Sequence, residues 1–447
     1  MRPLLGVLLL GAFSLAIRLA VFEQARPVSL IGDEVYYAET ALAIANGQGL
    51  QSAALGSRAA WPPAQSFLLA LASDPAAPID PERLQRVAIL LGSLLPLLVL
   101  ALARALFDAR TAWIAGIAAA VYPEFVAYSH YLWSETLFTA LVTGAFALAV
   151  RAQRGPLQAA AATGLLFGLS ALTREEGLLL GGCCALWWAF APGARGVAFA
   201  RAAVLLAAML ATVAPWTARN QLVLGRFVPI STVGWMGVAE GNLLGDDWRR
   251  VDPQVLRRFR AEYSAIPDET ARMDFARETA LRAIAAEQPG WLAEKLVRNL
   301  PLLLAPDSFV LKKLARGSYG DVPLGRRRAI FAVTALAYLA VTGLALVGVA
   351  SLRGERRWLA LLCTGSVLGL HVIANASSRY RFPLMPLALV YAAHAVARGR
   401  EAWRDAGPLG LVCAGLAALV LLASTAAFAP EAASLWSSGQ YLDPLRP

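Results

Sequence analysis

The residues of this chain that could do chemistry stand at a few places in an otherwise apolar sequence. The sharpest is a pair of adjacent carboxylates, Asp33 and Glu34, preceded by Gly32 and followed by Tyr36 and Tyr37. A carboxylate at a water interface beside apolar surface can serve as general base toward an incoming hydroxyl or amine. The competing role is a helix amino-terminal cap, where such acids accept backbone N–H bonds and complement the dipole. Capping accounts well for one acid and less well for two with paired tyrosines. A second place is YPEFVAYSHYLWSETLF, in which Glu135 follows Ser134 at a helix start, His130 lies in the preceding turn and Glu124 follows Pro123. Capping is again the alternative for Glu135.

Two further groups are rich in arginine. LTREEGL places Arg174, Glu175 and Glu176 in a very short turn, which is either a solvated hairpin with a local ion pair or a functional cluster. PWTARN contains Arg219 and Asn220, SSRYRFPLMP contains Arg379, Tyr380 and Arg381, and Arg58 stands alone after the first apolar run. Guanidinium groups at headgroup depth suit bidentate phosphate binding, with snorkelling toward lipid headgroups as the alternative. Carboxylates and arginines gathered on one face suit a reaction on a lipid-linked phosphate donor. Arginines would hold the departing phosphate while a carboxylate takes the acceptor's proton.

These groups are positioned by a membrane chain. Of 447 residues 58% are hydrophobic and 16% charged, with a mean hydropathy of +0.56, against roughly 25% charged residues in soluble domains. A spanning helix needs about 20 apolar residues, and that measure gives about eleven candidates. They run approximately over 3–22, 84–106, 111–128, 131–150, 157–173, 177–192, 200–218, 329–351, 358–375, 382–397 and 408–428. The predicted fold class is an all-α polytopic membrane protein. The formal charge of +10 is carried almost wholly by arginine. With the amino terminus cytoplasmic, every short inside loop is basic, as the retention of Arg and Lys on the cytoplasmic side requires. Basicity therefore points to orientation in the bilayer, and no nucleic-acid partner is expected.

The same count puts residues 23–83, residues 219–328 and the tail 429–447 outside, leaving a transmembrane core in 1–218 and further spans in 329–428. The 23–83 loop carries GDEVYYAETALAIANGQG, which predicts an amphipathic surface helix, and WPPAQSFLLALAS, which predicts a second interfacial helix starting at the double proline. Residues 219–328 are the one long polar region and predict a small, mostly helical external subdomain. The four cysteines lie in apolar runs and read as free thiols, and the three histidines are far apart in sequence. There is no P-loop, no GxGxxG after a strand and no GxSxG.

At these residues the chain resembles the GT-C superfamily of polytopic glycosyltransferases. The likeness is to the family 39 branch that holds protein O-mannosyltransferases and the lipid A aminoarabinose transferase. The ordered set is GDEVYYAETALAIANGQG, WPP, SETLF, LTREEG, PWTARN, GRFVPIST, EGN and RYRFPLMPL, from about residue 30 to about residue 390. The resemblance implies inverting transfer of a sugar from a polyprenyl phosphate to a lipid, glycan or protein acceptor. It also implies a bacterial-type inner membrane, with the active site on the extracytoplasmic face. The family's catalytic aspartate falls on Asp33, with Glu34 beside it, and its second acidic position on Glu135. Arg58, Arg174, Arg219, Arg379 and Arg381 are the candidate donor-phosphate cations, and Tyr36, Tyr37, His130 and Tyr380 the candidate substrate contacts. No cofactor is expected in this branch; a divalent metal is not required, and nothing in the sequence forbids one. Two other readings stay open: a flippase for lipid-linked saccharides, and a polysaccharide ligase or polymerase using a diphosphate-linked donor.

Overall fold

The computed structural model describes residues 2–52, 56–190, 195–243 and 252–440; the end of the predicted external tail, 441–447, lies outside them. Among the described residues the only β pairing is an isolated bridge between Ser52 and Ser57. The amino-terminal half is built from α1 (Arg2–Gln24), α2 (Asp33–Ala45), α3 (Ala64–Ala70), α4 (Pro81–Leu106), α5 (Ala109–Val121), α6 (Pro123–Tyr128), α7 (Glu135–Ala152), α8 (Leu157–Ala171), α9 (Glu176–Ala189) and α10 (Arg195–Leu224). A group of shorter helices follows: α11 (Gly234–Asn242), α12 (Pro253–Ala265), α13 (Glu269–Ala286), α14 (Trp291–Leu304) and α15 (Phe309–Ala315). The chain returns through α16 (Leu324–Ala350), α17 (Glu355–Ile373), a 3₁₀ segment (Ser378–Leu384), α18 (Met385–Arg398), α19 (Arg400–Ala427) and α20 (Ala429–Ser438).

Among the described residues each of the eleven predicted spans coincides with helix, and six helices (α1, α4, α7, α10, α16 and α19) are long and apolar enough to cross a bilayer; residues 191–192 of the sixth predicted span lie outside the described residues. The protein is a polytopic membrane protein. The third span differs from its prediction. It is cut at Tyr122, whose ψ of 120° precedes Pro123, because a residue before proline is pushed out of helical conformation. α5 thus ends there and α6 starts afresh, with Pro123 at its first position. The eleventh span, α19, is likewise kinked at Gly407, whose φ of 64° is open to glycine without a Cβ penalty. Aspartates cap where water is near: Asp80 accepts from the N–H groups of Glu82 and Arg83 at the start of α4, and Asp108 from Thr111 at the start of α5.

The main core is continuous through α4, α5, α7, α8, α9, α10, α16, α17 and α18. Backbones close in where glycine permits: a Cβ on Gly164 would stand 2.2 Å from the Leu205 carbonyl, and one on Gly348 would stand 2.0 Å from that of Tyr391. The helix predicted in the first loop is present as α2, but it is enclosed along most of its length. Tyr36, Tyr37, Ala38 and Ala41 pack with Ala60, Leu69, Leu84 and Leu132. α3 begins just after the double proline. The segment predicted as an external subdomain has its own small core of Ala239, Leu256, Phe259, Ala276 and Ala280. Its predicted start at 219 falls inside α10, which continues through Arg219 and Asn220 to Leu224.

Candidate active site

The two adjacent acids of the first loop have opposite environments. α2 begins at Asp33, with Gly32 in the cap position at φ 58° and no side-chain cap there, and both acids stand in its first turn. Glu34 is fully buried. One of its oxygens accepts from the Leu132 N–H at 3.2 Å; the other accepts from the Ile31 N–H at 3.1 Å and from Lys313 Nζ at 2.6 Å. Lys313 lies 4.0 Å from the Tyr131 ring centre and 4.8 Å from that of Trp133. Burial pushes this ammonium below the ordinary lysine value, against the opposing pull of Glu34. Asp33, one residue earlier, keeps 29% of its side chain exposed.

Asp33 belongs to a chain of charges contributed by distant parts of the sequence. Arg379, in the 3₁₀ segment, donates through one amino nitrogen to Asp33 Oδ2 at 2.8 Å and through Nε to Glu135 Oε1. Its guanidinium lies 4.3 Å from the Trp133 ring centre. Glu135 Oε1 also accepts from Arg174 at 2.7 Å, and Arg174 in turn donates to Glu176 Oε1 at 3.0 Å. His371 of α17 reaches the same oxygen of Glu176 at 3.4 Å, and Tyr380 stacks on its ring at 4.2 Å, within 3° of parallel. Three carboxylates and two guanidiniums alternate along this row, each charge facing an opposite one, which is how charges persist in a site with little water. Glu135 Oε2 is buried and has no described partner. Arg174 is no member of a solvated hairpin, since only 14% of its side chain is exposed.

Of the sequence candidates, Asp33, Glu135, Arg174, Arg379 and Tyr380 therefore meet in one cluster. The fully buried Tyr37 borders it, hydrogen-bonded to Ser134 next to Glu135. The others are placed elsewhere. Tyr36 packs on Trp61 at 4.4 Å, and burial pushes its hydroxyl up to about 12. Arg219 donates to the Arg58 carbonyl at 2.8 Å and lies 4.7 Å from the Trp216 ring centre; the Arg58 side chain is exposed. Arg381, two residues from Arg379, turns inward and is 3% exposed. It donates to the carbonyls of Leu303 at 2.9 Å, Ala305 at 2.5 Å and Asp307, and its guanidinium covers the Tyr338 ring. Those donors hold backbone rather than facing outward. His130 is buried against Phe22, with Nε2 3.0 Å from the Arg18 carbonyl oxygen.

Lys313, the partner of Glu34, was not singled out by sequence reading; Glu176 was named there only with Arg174 and Glu175 as one cluster, and His371 was weighed only as a metal ligand. A composition signal for Lys313 existed: the chain has three lysines, Lys295, Lys312 and Lys313, all within the long polar region 219–328. Among the described residues, no three His, Cys, Asp or Glu gather as metal ligands would.

Residues 63–218 match the family model described as dolichyl-phosphate-mannose-protein mannosyltransferase. No curated protein sequence matches the chain. The fold is similar to that of the archaeal oligosaccharyltransferase AglB from Archaeoglobus fulgidus, solved with an inhibitory peptide and a dolichol-phosphate. That match has 16% identity and a TM-score of 0.52, over 94% of this chain and 54% of that one. The same enzyme solved with Zn and sulfate gives 16% identity and a TM-score of 0.53, over 94% and 53%. ArnT from Cupriavidus metallidurans in the apo state gives 16% identity and a TM-score of 0.44, over 89% and 79%. The chain spans about half the length of the AglB structures it matches. The chain thus shares its fold with the archaeal oligosaccharyltransferase AglB, and residues 63–218 carry the sequence pattern of the dolichyl-phosphate-mannose-protein mannosyltransferase family.

Proposed function

We propose that this protein is an inverting glycosyltransferase that moves a sugar from a polyprenyl phosphate to an acceptor on the extracytoplasmic side, with Asp33 as general base. One observation carries the reading: a partly exposed carboxylate, Asp33, is held 2.8 Å from a guanidinium, Arg379, whose own position is tied down by Glu135. A base and a cation suited to phosphate thus stand side by side, both partly exposed. In the step, an acceptor O–H or N–H gives its proton to Asp33 as its lone pair attacks the anomeric carbon from the face opposite the phosphate. The bond from that carbon to the phosphate oxygen breaks, and polyprenyl phosphate leaves with the electron pair. Arg379 has an amino group not used on Asp33 or Glu135, and with Arg174 it supplies positive charge where the leaving phosphate gathers negative charge. The matches to a family named for dolichyl-phosphate-mannose and to a structure solved with dolichol-phosphate support a polyprenyl-linked donor.

The test is transfer from polyprenyl-phosphate sugars by the purified full chain, read beside envelope glycans and lipids of a deletion strain complemented with Asp33→Asn. Removal of a general base is expected to lower the rate by about 10²–10⁴-fold with membrane abundance unchanged. Near-wild-type transfer by that variant would remove Asp33 from the reaction.

A further inference from the structure

The external helix α14 presents its charges the wrong way round for a water-facing helix. Leu292, Leu296, Val297 and Leu302 are exposed, whereas Lys295 and Arg298 point inward and are 1% and 7% exposed. An exposed apolar face on a short external helix marks one that lies in the membrane interface, at the depth of lipid headgroups. Its inward cations meet on a single acceptor. Lys295 Nζ donates to the Gly241 carbonyl, and Arg298 donates to the same oxygen at 2.6 Å.

One cation on that carbonyl would be ordinary, because Gly241 lies in the last turn of α11 and the carbonyl end of a helix attracts positive charge. Two are not. Among the described residues neither Lys295 nor Arg298 forms an ion pair, and a second amino group of Arg298, NH1, is buried with no partner. The carboxylates of Glu287 and Glu294 act on the pair only at longer range. Buried cations are normally matched by an anion. Among the described residues no carboxylate lies within ion-pair distance of either cation.

We propose that Lys295 and Arg298 form a second phosphate site, apart from the Asp33–Arg379 row, that takes the phosphate head of a lipid. The lipid source follows from the interfacial placing of α14 and rests on the reading above only in that respect; the cation pair does not depend on Asp33. The site is coupled to the charge row through the end of α17. Asn299 Nδ2 donates to the Val372 carbonyl at 2.6 Å and Asn242 Nδ2 to that of Ile373 at 3.2 Å, one and two residues beyond His371. Gly241 allows that approach, since a Cβ there would stand 1.8 Å from the Ala374 carbonyl oxygen. A phosphate here would tighten α11 and α14 onto the segment that carries His371.

The test uses the purified full chain in detergent, with farnesyl phosphate, inorganic phosphate and farnesol as probes. Thermal unfolding is expected to shift upward and to saturate with farnesyl phosphate, at lower concentration than with inorganic phosphate, and not to shift with farnesol. In Arg298→Lys and Lys295→Gln the half-saturating concentration should rise at least about tenfold, a loss of roughly 1.4 kcal/mol. The wild-type chain gives a readout that needs no variant: with three lysines, amine acylation followed by mass spectrometry reports Lys295 against Lys312 as internal reference. Farnesyl phosphate should lower labelling of Lys295 several-fold relative to Lys312, and should do so equally in Asp33→Asn, so that loss of transfer and loss of this site are read separately. Equal potency of inorganic phosphate would overturn the lipid source. Equal shifts in the variants, or no change at Lys295 with any probe, would overturn the site.

Discussion

Arg379 and Asp33, 346 positions apart in the chain, are joined at 2.8 Å, and the same guanidinium holds Glu135. The start of α2 is thereby tied to the start of α7 and to the turn before α18. An arginine is suited to this because its planar fork donates in two directions from one rigid group. A lysine would keep the charge and lose the geometry.

That difference gives a direct prediction. Arg379→Lys should cut transfer by more than tenfold, chiefly in kcat, because the charge near the phosphate survives while Asp33 and Glu135 are no longer held together. Arg379→Gln should lose both and raise KM for the donor as well. Steady-state kinetics with a polyprenyl-phosphate sugar separates the two; a lysine variant with wild-type kcat would show that the fork geometry is dispensable.

Glu34 and Lys313 form the second tie, a pair 2.6 Å apart with both side chains fully buried. Removing one member of such a pair leaves an uncompensated buried charge, a cost of about 3–5 kcal/mol. Glu34→Gln or Lys313→Met should therefore lower the unfolding temperature in detergent markedly. The double variant should recover a large part of that loss. Additive losses in the double variant would show that the two charges act independently.

Arg381 gives a contrast with Arg379. Its two amino groups donate to the carbonyls of Leu303, Ala305 and Asp307, which mark the end of α14 and the turn into α15. Arg381→Gln should destabilise the chain by about 1–3 kcal/mol per carbonyl left unsatisfied. KM for the donor, measured on the folded fraction, should stay unchanged. A raised KM at full stability would assign this arginine to phosphate binding instead.

Lys295 makes stability depend on pH. Burial, aided by the neighbouring Arg298 charge and opposed by Glu287, pushes its ammonium down to about 7. Between that value and the ordinary lysine value of about 10.4 the unfolded chain binds more protons than the folded one, so stability rises with pH across this window. Below 7 the penalty is complete. Unfolding temperatures from pH 6 to pH 10 should show this rise in the wild type and its loss in Lys295→Met. A parallel pair of curves would place the dependence on another group.

The apolar runs, the proline and aspartate signals at helix starts and the helices of the first loop were readable along the chain, because hydropathy and capping act over one or a few turns. The break at Tyr122 was carried by Pro123 but overlooked beneath a continuous apolar run. The site was legible in part. Scarce charges in an apolar chain must be paired or used, which singled out Asp33, Glu135, Arg174 and Arg379. Their types and loops were local facts.

Which of two neighbours does what was decided only by tertiary packing. Asp33 and Glu34 are adjacent acids in sequence, yet one is buried against Lys313 and the Leu132 N–H while the other, held by Arg379, stays partly exposed. Arg379 and Arg381 are two residues apart in a 3₁₀ turn, and one faces the charge row while the other closes over Tyr338. Residue type and spacing set what a side chain can do. The partner arriving from a distant part of the chain sets which of those things it does, because a buried charge is stable only where its counter-charge has been brought.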